Sequence, residues 1–217
     1  MNPLTELELL LRPAGGGVYL VSTGKAEQVA LQKKVYHALD EAEVARAFRA
    51  NLARIASAKA IVLGIPSDVG AGYRRGANLG PQAIRTYLLD EHPTYTAIAE
   101  ANGIVDIGDV FVVPQLLTDA MLSEAQIAAS REALYPGVAE TLPVAPLSIA
   151  KRVLDLCFEL NPSVIPFVLG GDHSVAWPVT QALVQRDTQV FAPCAGRVSG
   201  TTSETRAARG PAARRRG

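Results

Sequence analysis

Cysteine is scarce. Cys157 and Cys194 are the only two in the chain and form no Cys-x-x-Cys pair, which excludes a disulfide framework and points to two free thiols in a reducing compartment. Net charge is absent as well: 21 basic residues face 21 acidic ones, so no overall field draws the chain to nucleic acid or to an acidic membrane. No apolar run reaches the roughly 18 residues that a membrane span needs. The start, Met1-Asn2-Pro3-Leu4-Thr5-Glu6, lacks the basic stretch of a signal peptide. These absences predict a protein that is neither secreted nor membrane-spanning, with a cytoplasmic location.

What is present argues for a packed core. With 217 residues, 48% hydrophobic and 19% charged, the chain has the length of one domain or a little more and is too apolar for general disorder. The neutral total hides a split. Residues 186–217 carry seven arginines against Asp187 and Glu204, and the remainder is acidic by the same amount. No helical or strand period persists after Gln185, where Ala, Arg, Gly, Pro, Ser and Thr dominate, so a disordered tail is expected over 186–217. Its one aromatic, Phe191, offers no interleaved stacking platform, which argues against nucleic acid as a partner. The remaining chain divides into an N-terminal extension with a helix, 1–58, and an α/β unit, 59–185.

Within 27–57, Val35, Leu39, Val44, Phe48, Leu52 and Ile55 recur at steps of three to five and predict one helix packing one face. His37 lies among charged residues there and is expected on the solvated surface. Ala60–Ile65 is short, apolar on both faces and followed by Pro66, the pattern of a buried parallel strand that opens the sheet. Pro81 suits the first position of a helix running to about Leu89. Gly103–Gly108 is the next strand, so strand, helix and strand form a right-handed crossover and the fold class is α/β. Ser123 with Gln126 gives a capping-box start to a helix ending at Leu134. Ala150, Val153, Leu154, Cys157 and Phe158 form one apolar stripe, placing Cys157 in the core. Residues 166–170 make the third strand, with Pro166 at its start.

In open parallel sheets, ligands gather beyond the carboxyl ends of the strands. Three segments qualify: Pro66–Leu79, Asp109–Pro114 and Gly171–Ser174. Two glycines put Asp172 and His173 at the tip of the third strand, and His173 is the best metal-ligand candidate; a turn in which Asp172 caps the next helix explains the same residues. Arg74 and Arg75 face either a substrate carboxylate or solvent. Gly64, Pro66, Gly76, Gly80 and Pro81 are expected to shape turns and helix starts.

Taken together, Gly64-Ile65-Pro66 with Asp68, Tyr73-Arg74-Arg75-Gly76-Ala77, Gly80-Pro81-Gln82-Ala83-Ile84-Arg85, Asp106-Ile107-Gly108-Asp109-Val110 and Gly170-Gly171-Asp172-His173-Ser174 resemble, in this order, the arginase/agmatinase/formimidoylglutamase family, the ureohydrolases. The likeness covers about residues 60–185 and is nearest to agmatinases. It implies a three-layer, parallel-sheet fold and a hydrolase in which two Mn2+ ions cleave a guanidino or amidino C–N bond of an agmatine- or arginine-like substrate, releasing urea. Family members commonly form trimers or hexamers. A guanidinium carbon is a poor electrophile, and a metal pair lowers the pKa of bound water enough to attack it. Carboxylate-rich ligand sets suit manganese. The resemblance makes His173 one such ligand.

The later family motifs, an Asp-Ala-His-x-Asp strand end and an Asp-x-Asp strand end, are absent from this sequence, and with them five of six ligands. Asp106 and Asp109 are read as loop and helix-start residues and His92 as part of a polar turn, none of them a replacement. The expectation is an incomplete, inactive copy: three or so strands of a larger sheet, with apolar edges prone to aggregation, truncated or shifted in reading frame after codon 185. Two other roles remain open: a non-catalytic partner of a full-length enzyme, and a weak nucleic-acid contact through Arg206–Arg216.

Overall fold

A computed structural model describes residues 1–186. Phe191, Cys194 and the arginines from Arg197 onward, on which the expectations of a tail and a second thiol rest, lie outside the described residues. The chain runs through α1 (Pro3–Leu10), β1 (Leu11–Arg12), α2 (Ser22–Tyr36), α3 (Glu41–Arg54), β2 (Ala60–Ile65), α4 (Gly80–Glu91), α5 (Tyr95–Ala101), β3 (Ile104–Val110), α6 (Glu124–Leu134), α7 (Pro146–Leu160), β4 (Ile165–Gly170) and α8 (Ala176–Arg186). This is an α/β fold.

The four strands form one sheet in the order β1-β3-β2-β4. β2 pairs in parallel with both β3 and β4, which is why all six of its residues are buried. It is an inner strand of the sheet, and the short β1 precedes it in the chain. β1 pairs antiparallel to β3, so the sheet is mixed. Two residues directly after α1 suffice for this edge, too few for a strand period to register in sequence. Ile61, Leu63 and Ile65 of β2 join Leu7, Leu10 and Leu11, Phe48 and Leu52 of α3, and the apolar stripe of α7 in one core. Cys157 belongs to that core and burial pushes its thiol up to about 12.

The single helix expected over 27–57 is two. α2 ends at His37, which takes a left-handed conformation with φ +50° and is exposed. Asp40 then caps α3, its carboxylate accepting the Glu43 amide at 2.8 Å while Glu43 accepts the Leu39 amide at 2.7 Å. One bond satisfies an amide in the first turn of the new helix and the other ties Glu43 back to the residue before the cap, which favours a fresh start over continuation of the old helix. Leu39, counted into the apolar stripe, sits in the break and is 82% exposed.

α6 starts with the full Ser123–Gln126 capping box. α4 carries Pro81 in its first turn and extends to Glu91. At the other side of the sheet β4 is the edge among the described residues, and Ile165 and Phe167 are 57% and 54% exposed. The apolar edge expected from the sequence is therefore present.

Candidate functional site

The loops after β2, β3 and β4 meet at the carboxyl end of the sheet. Ser67 and Asp68 leave β2 fully buried. The Asp68 carboxylate accepts Arg75 Nε at 2.8 Å and the Gly76 amide at 2.6 Å, and the Arg75 guanidinium also donates to Pro114 O at 3.2 Å, tying the first loop to the second. The Asp172 amide donates to Ser67 O at 3.1 Å, tying the first to the third. Arg75 thus holds Asp68, whose pKa it lowers through the side-chain hydrogen bond, while its own side chain stays 45% exposed to water. Arg74 is exposed.

Asp172 is the cap that the alternative reading proposed. Its Oδ1 accepts the Ser174 amide at 2.7 Å and starts the short turn His173–Val175. Its other oxygen, Oδ2, and the Ser67 hydroxyl oxygen are the two side-chain polar atoms among the described residues that are buried without a partner. His173 follows, exposed at the strand tip. Orphaned acceptors at such a place suit a ligand that brings donors or positive charge.

A second polar cluster lies beneath α4. Asp106, which falls within the expected strand Gly103–Gly108 but was also read as a loop residue, and Asp109, read as a helix start, are both residues of β3. Arg85 from α4 is 2% exposed and reaches both: Nε to Asp106 Oδ2 at 2.7 Å, Nη2 to Asp106 Oδ1 at 3.0 Å and Nη1 to Asp109 Oδ1 at 2.6 Å. Residues three apart in a regular strand point to opposite faces. Here the register slips between Val62 and Gly64 of the neighbouring strand, so that Val62 faces Asp106 and Gly64 faces Asp109. Gly108 at φ +81° supplies the bulge and returns Asp109 to the side of Asp106. Opposite it, a Cβ on Gly64 would collide with Asp109 Oδ1. Burial alone would drag Arg85 down, but the two carboxylates outweigh it and its pKa is raised; burial raises Asp109, with Arg85 opposing. Sequence reading missed this hub. Its signal was two acids in an otherwise apolar strand, which need a cation from a neighbouring element, and Arg85 rather than Ile84 is the buried member of the pair.

These residues do not fit a metal pair. Asp106 and Asp109 are spent on Arg85, and His92 lies exposed at the end of α4, its ring edge-on to Tyr87. Among the described residues no group of three or more His, Cys, Asp or Glu side chains is placed to hold a metal ion. His173 and Asp172 Oδ2 supply one imidazole and one free carboxylate oxygen, short of what two hard cations require. None of the described helices is long and apolar enough to cross a membrane.

Comparison with known proteins follows the same residues. Residues 58–192, well over half the chain, match the arginase family model. Over 144 residues the chain is 28% identical to an agmatinase of Pyrococcus horikoshii, covering 63% of this chain and 40% of the relative. It is 30% identical over 144 residues to an N(1)-aminopropylagmatine ureohydrolase of Thermococcus kodakarensis, covering 62% and 38%. A guanidinobutyrase of Pseudomonas aeruginosa is 23% identical over 137 residues, covering 60% and 34%. The chain thus spans about two fifths or less of the length of these relatives.

Proposed function

The chain belongs to the arginase family, and from that premise we propose that it is a ureohydrolase-type protein for a guanidino or amidino substrate that, as it stands, turns over none. The agmatinases among its relatives support an agmatine- or arginine-like substrate with urea as product. In this reading His173 is the single manganese ligand the chain retains, and residues 59–185 are part of a three-layer unit whose sheet the N-terminal 1–58 closes on one side. The change of composition after Gln185 fits a shifted reading frame, which translation of the downstream DNA in all frames tests. A cytoplasmic location and trimeric or hexameric assembly belong to the same proposal.

One observation carries the inactivity: where the three loops converge, the structure offers one exposed imidazole and one unpartnered carboxylate oxygen. A guanidinium carbon resists attack by neutral water, and one imidazole with one carboxylate oxygen is too small a donor set among the described residues to seat the cation pair that would supply hydroxide. The test is manganese content and urea release from the purified 217-residue chain with agmatine, arginine and 4-guanidinobutyrate. Less than one manganese per chain and no urea above buffer is expected. Two manganese ions per chain with turnover would overturn the proposal.

The open β4 edge favours a second reading, a binding partner of a full-length relative. Co-expression with such a relative would then give a stable mixed complex; homogeneous relative beside aggregated short chain would exclude it.

A further inference from the structure

Among the described residues the sheet stops at β4. The Ile165 amide donates to Lys59 O at 3.1 Å, and β4 runs beside β2 in unbroken parallel register from Ile165 to Gly170. The alternation of a parallel ladder therefore turns the N–H and C=O groups of Ile165, Phe167 and Leu169 toward β2 and those of Pro166, Val168 and Gly170 into the open edge. Pro166 sits where its missing N–H breaks no bond to β2. The edge presents, in order, Pro166 O, Val168 N–H, Val168 O and Gly170 N–H. One more group, Gly170 O, lies against the start of α4, so near that a Cβ on Gly80 would come within 2.8 Å of it.

This row is its own complement. A half-turn about Val168 sets Val168 N–H against the partner's Val168 O in both directions, and Gly170 N–H against the partner's Pro166 O at each end, as between antiparallel strands. The leftover carbonyl, Gly170 O, meets the proline that has no hydrogen to give, and it is the one already covered by Gly80. Side chains agree with the backbone. Phe167 stands beside Val62, which shares a cavity wall with Arg85 and Leu89 of α4, and on that face the half-turn puts Phe167 opposite the partner's Leu169, an apolar cross-strand pair. β4 carries no charged residue, and the exposed positions in the first half of α4, Ala83, Ile84, Thr86 and Tyr87, carry none either, so nothing of like sign is brought together and the usual protection of an edge by lysine is missing. At the far side of the sheet β1 has two residues, one of them Arg12, which offers no second edge of this kind, so pairing closes at two.

We propose that the β4 edge is the contact between two copies of this chain, joined antiparallel about Val168 so that their sheets become continuous. The pairing needs neither metal nor substrate and stands apart from the hydrolase reading. Three such pairs build a hexamer; a bare trimer leaves the edge open.

The test is sedimentation of the full chain over a range of concentrations, with amide hydrogen exchange followed at β4. Twice the chain mass of 22.9 kDa, or the hexamer of three pairs, is expected. In that assembly the Val168 and Gly170 amides should exchange roughly tenfold or more slower than after dilution to the monomer, whereas the Phe167 and Leu169 amides, bonded to β2, stay protected in both. A monomer or trimer with fast Val168 and Gly170 amides overturns the proposal, as does an assembly in which those two amides exchange freely. Slow Val168 and Gly170 amides in a monomer would mean that residues 187–217 cover the edge, and growth without limit that the pairing does not close; either result overturns it too. Phe167→Lys places a charge at an exposed position of the edge and should weaken the pair roughly tenfold or more at an unchanged thermal midpoint of the dilute chain. A folded Phe167→Lys chain that associates as tightly as the parent overturns the proposal, and the exchange pattern of the parent decides where this variant does not fold.

Discussion

The cluster around Arg85 and the loop cluster around Asp172 are both built from buried acids near a guanidinium, yet they are finished to different degrees. Asp106, Asp109 and Arg85 answer one another, with Gly108 O accepting a further Arg85 hydrogen at 3.2 Å. At the loops, Arg75 is consumed by Asp68, and Asp172 Oδ2 and Ser67 Oγ are left without partners. A satisfied ion cluster under a helix is scaffold. Orphaned polar atoms at strand tips leave hydrogen-bonding capacity unused among the described residues.

The comparison breaks most visibly at Arg85. Arg85→Met leaves two buried carboxylates facing each other, and urea unfolding should show a loss of about 3–5 kcal/mol or no cooperative transition at all; a loss below about 1 kcal/mol would mean that the cluster is not the scaffold described. Gly64→Ala drives a methyl group into Asp109, and the same measurement should give a smaller loss of about 1–3 kcal/mol.

The loop side responds to pH. Asp68 has a lowered pKa in the folded chain, so its bond to Arg75 adds stability that is complete above the unfolded value near 4 and disappears as pH falls through the folded value. Arg75→Gln should therefore be less stable than the parent at pH 6, with the difference closing below about pH 4; a difference constant with pH would show that Arg75 does not set the charge of Asp68. The smallest effect is expected at the orphan itself. Asp172→Asn keeps the cap, since either side chain serves there, and removes an unpartnered charge, so stability should change by no more than about 0.5 kcal/mol. A loss above about 2 kcal/mol would reveal a donor on Oδ2 and erase the contrast.

Much of the scaffold was legible because its signals are local. The run Ala60–Ile65, Pro81 in the first turn of α4, the Ser123–Gln126 box and the stripe through Cys157 each specify an element within a few residues. The break at His37 was equally local, since Asp40 and Glu43 have the spacing of a reciprocal cap, but the apolar periodicity running across it masked the signal. β1 was not legible, because two residues gain strand character only from the partner they meet. The Arg85 cluster required knowing that β3 contains an extra residue, which places Asp109 beside Asp106. At the candidate site, His173 and the convergence of three loops followed from strand-end reasoning; the role of Arg75 did not, since its partner seven residues earlier is fixed by the path of the loop.

The bulge at Gly108 also makes β3 sensitive to a single side chain. A residue at 108 that cannot hold φ +81° would flatten the bulge without shortening the strand, put Asp106 and Asp109 three apart in a regular strand and turn one acid away from Arg85. Relatives that keep an acid at both positions with three steps between them should therefore keep glycine at 108, where a side chain would also strike the carbonyl of Arg12 in β1.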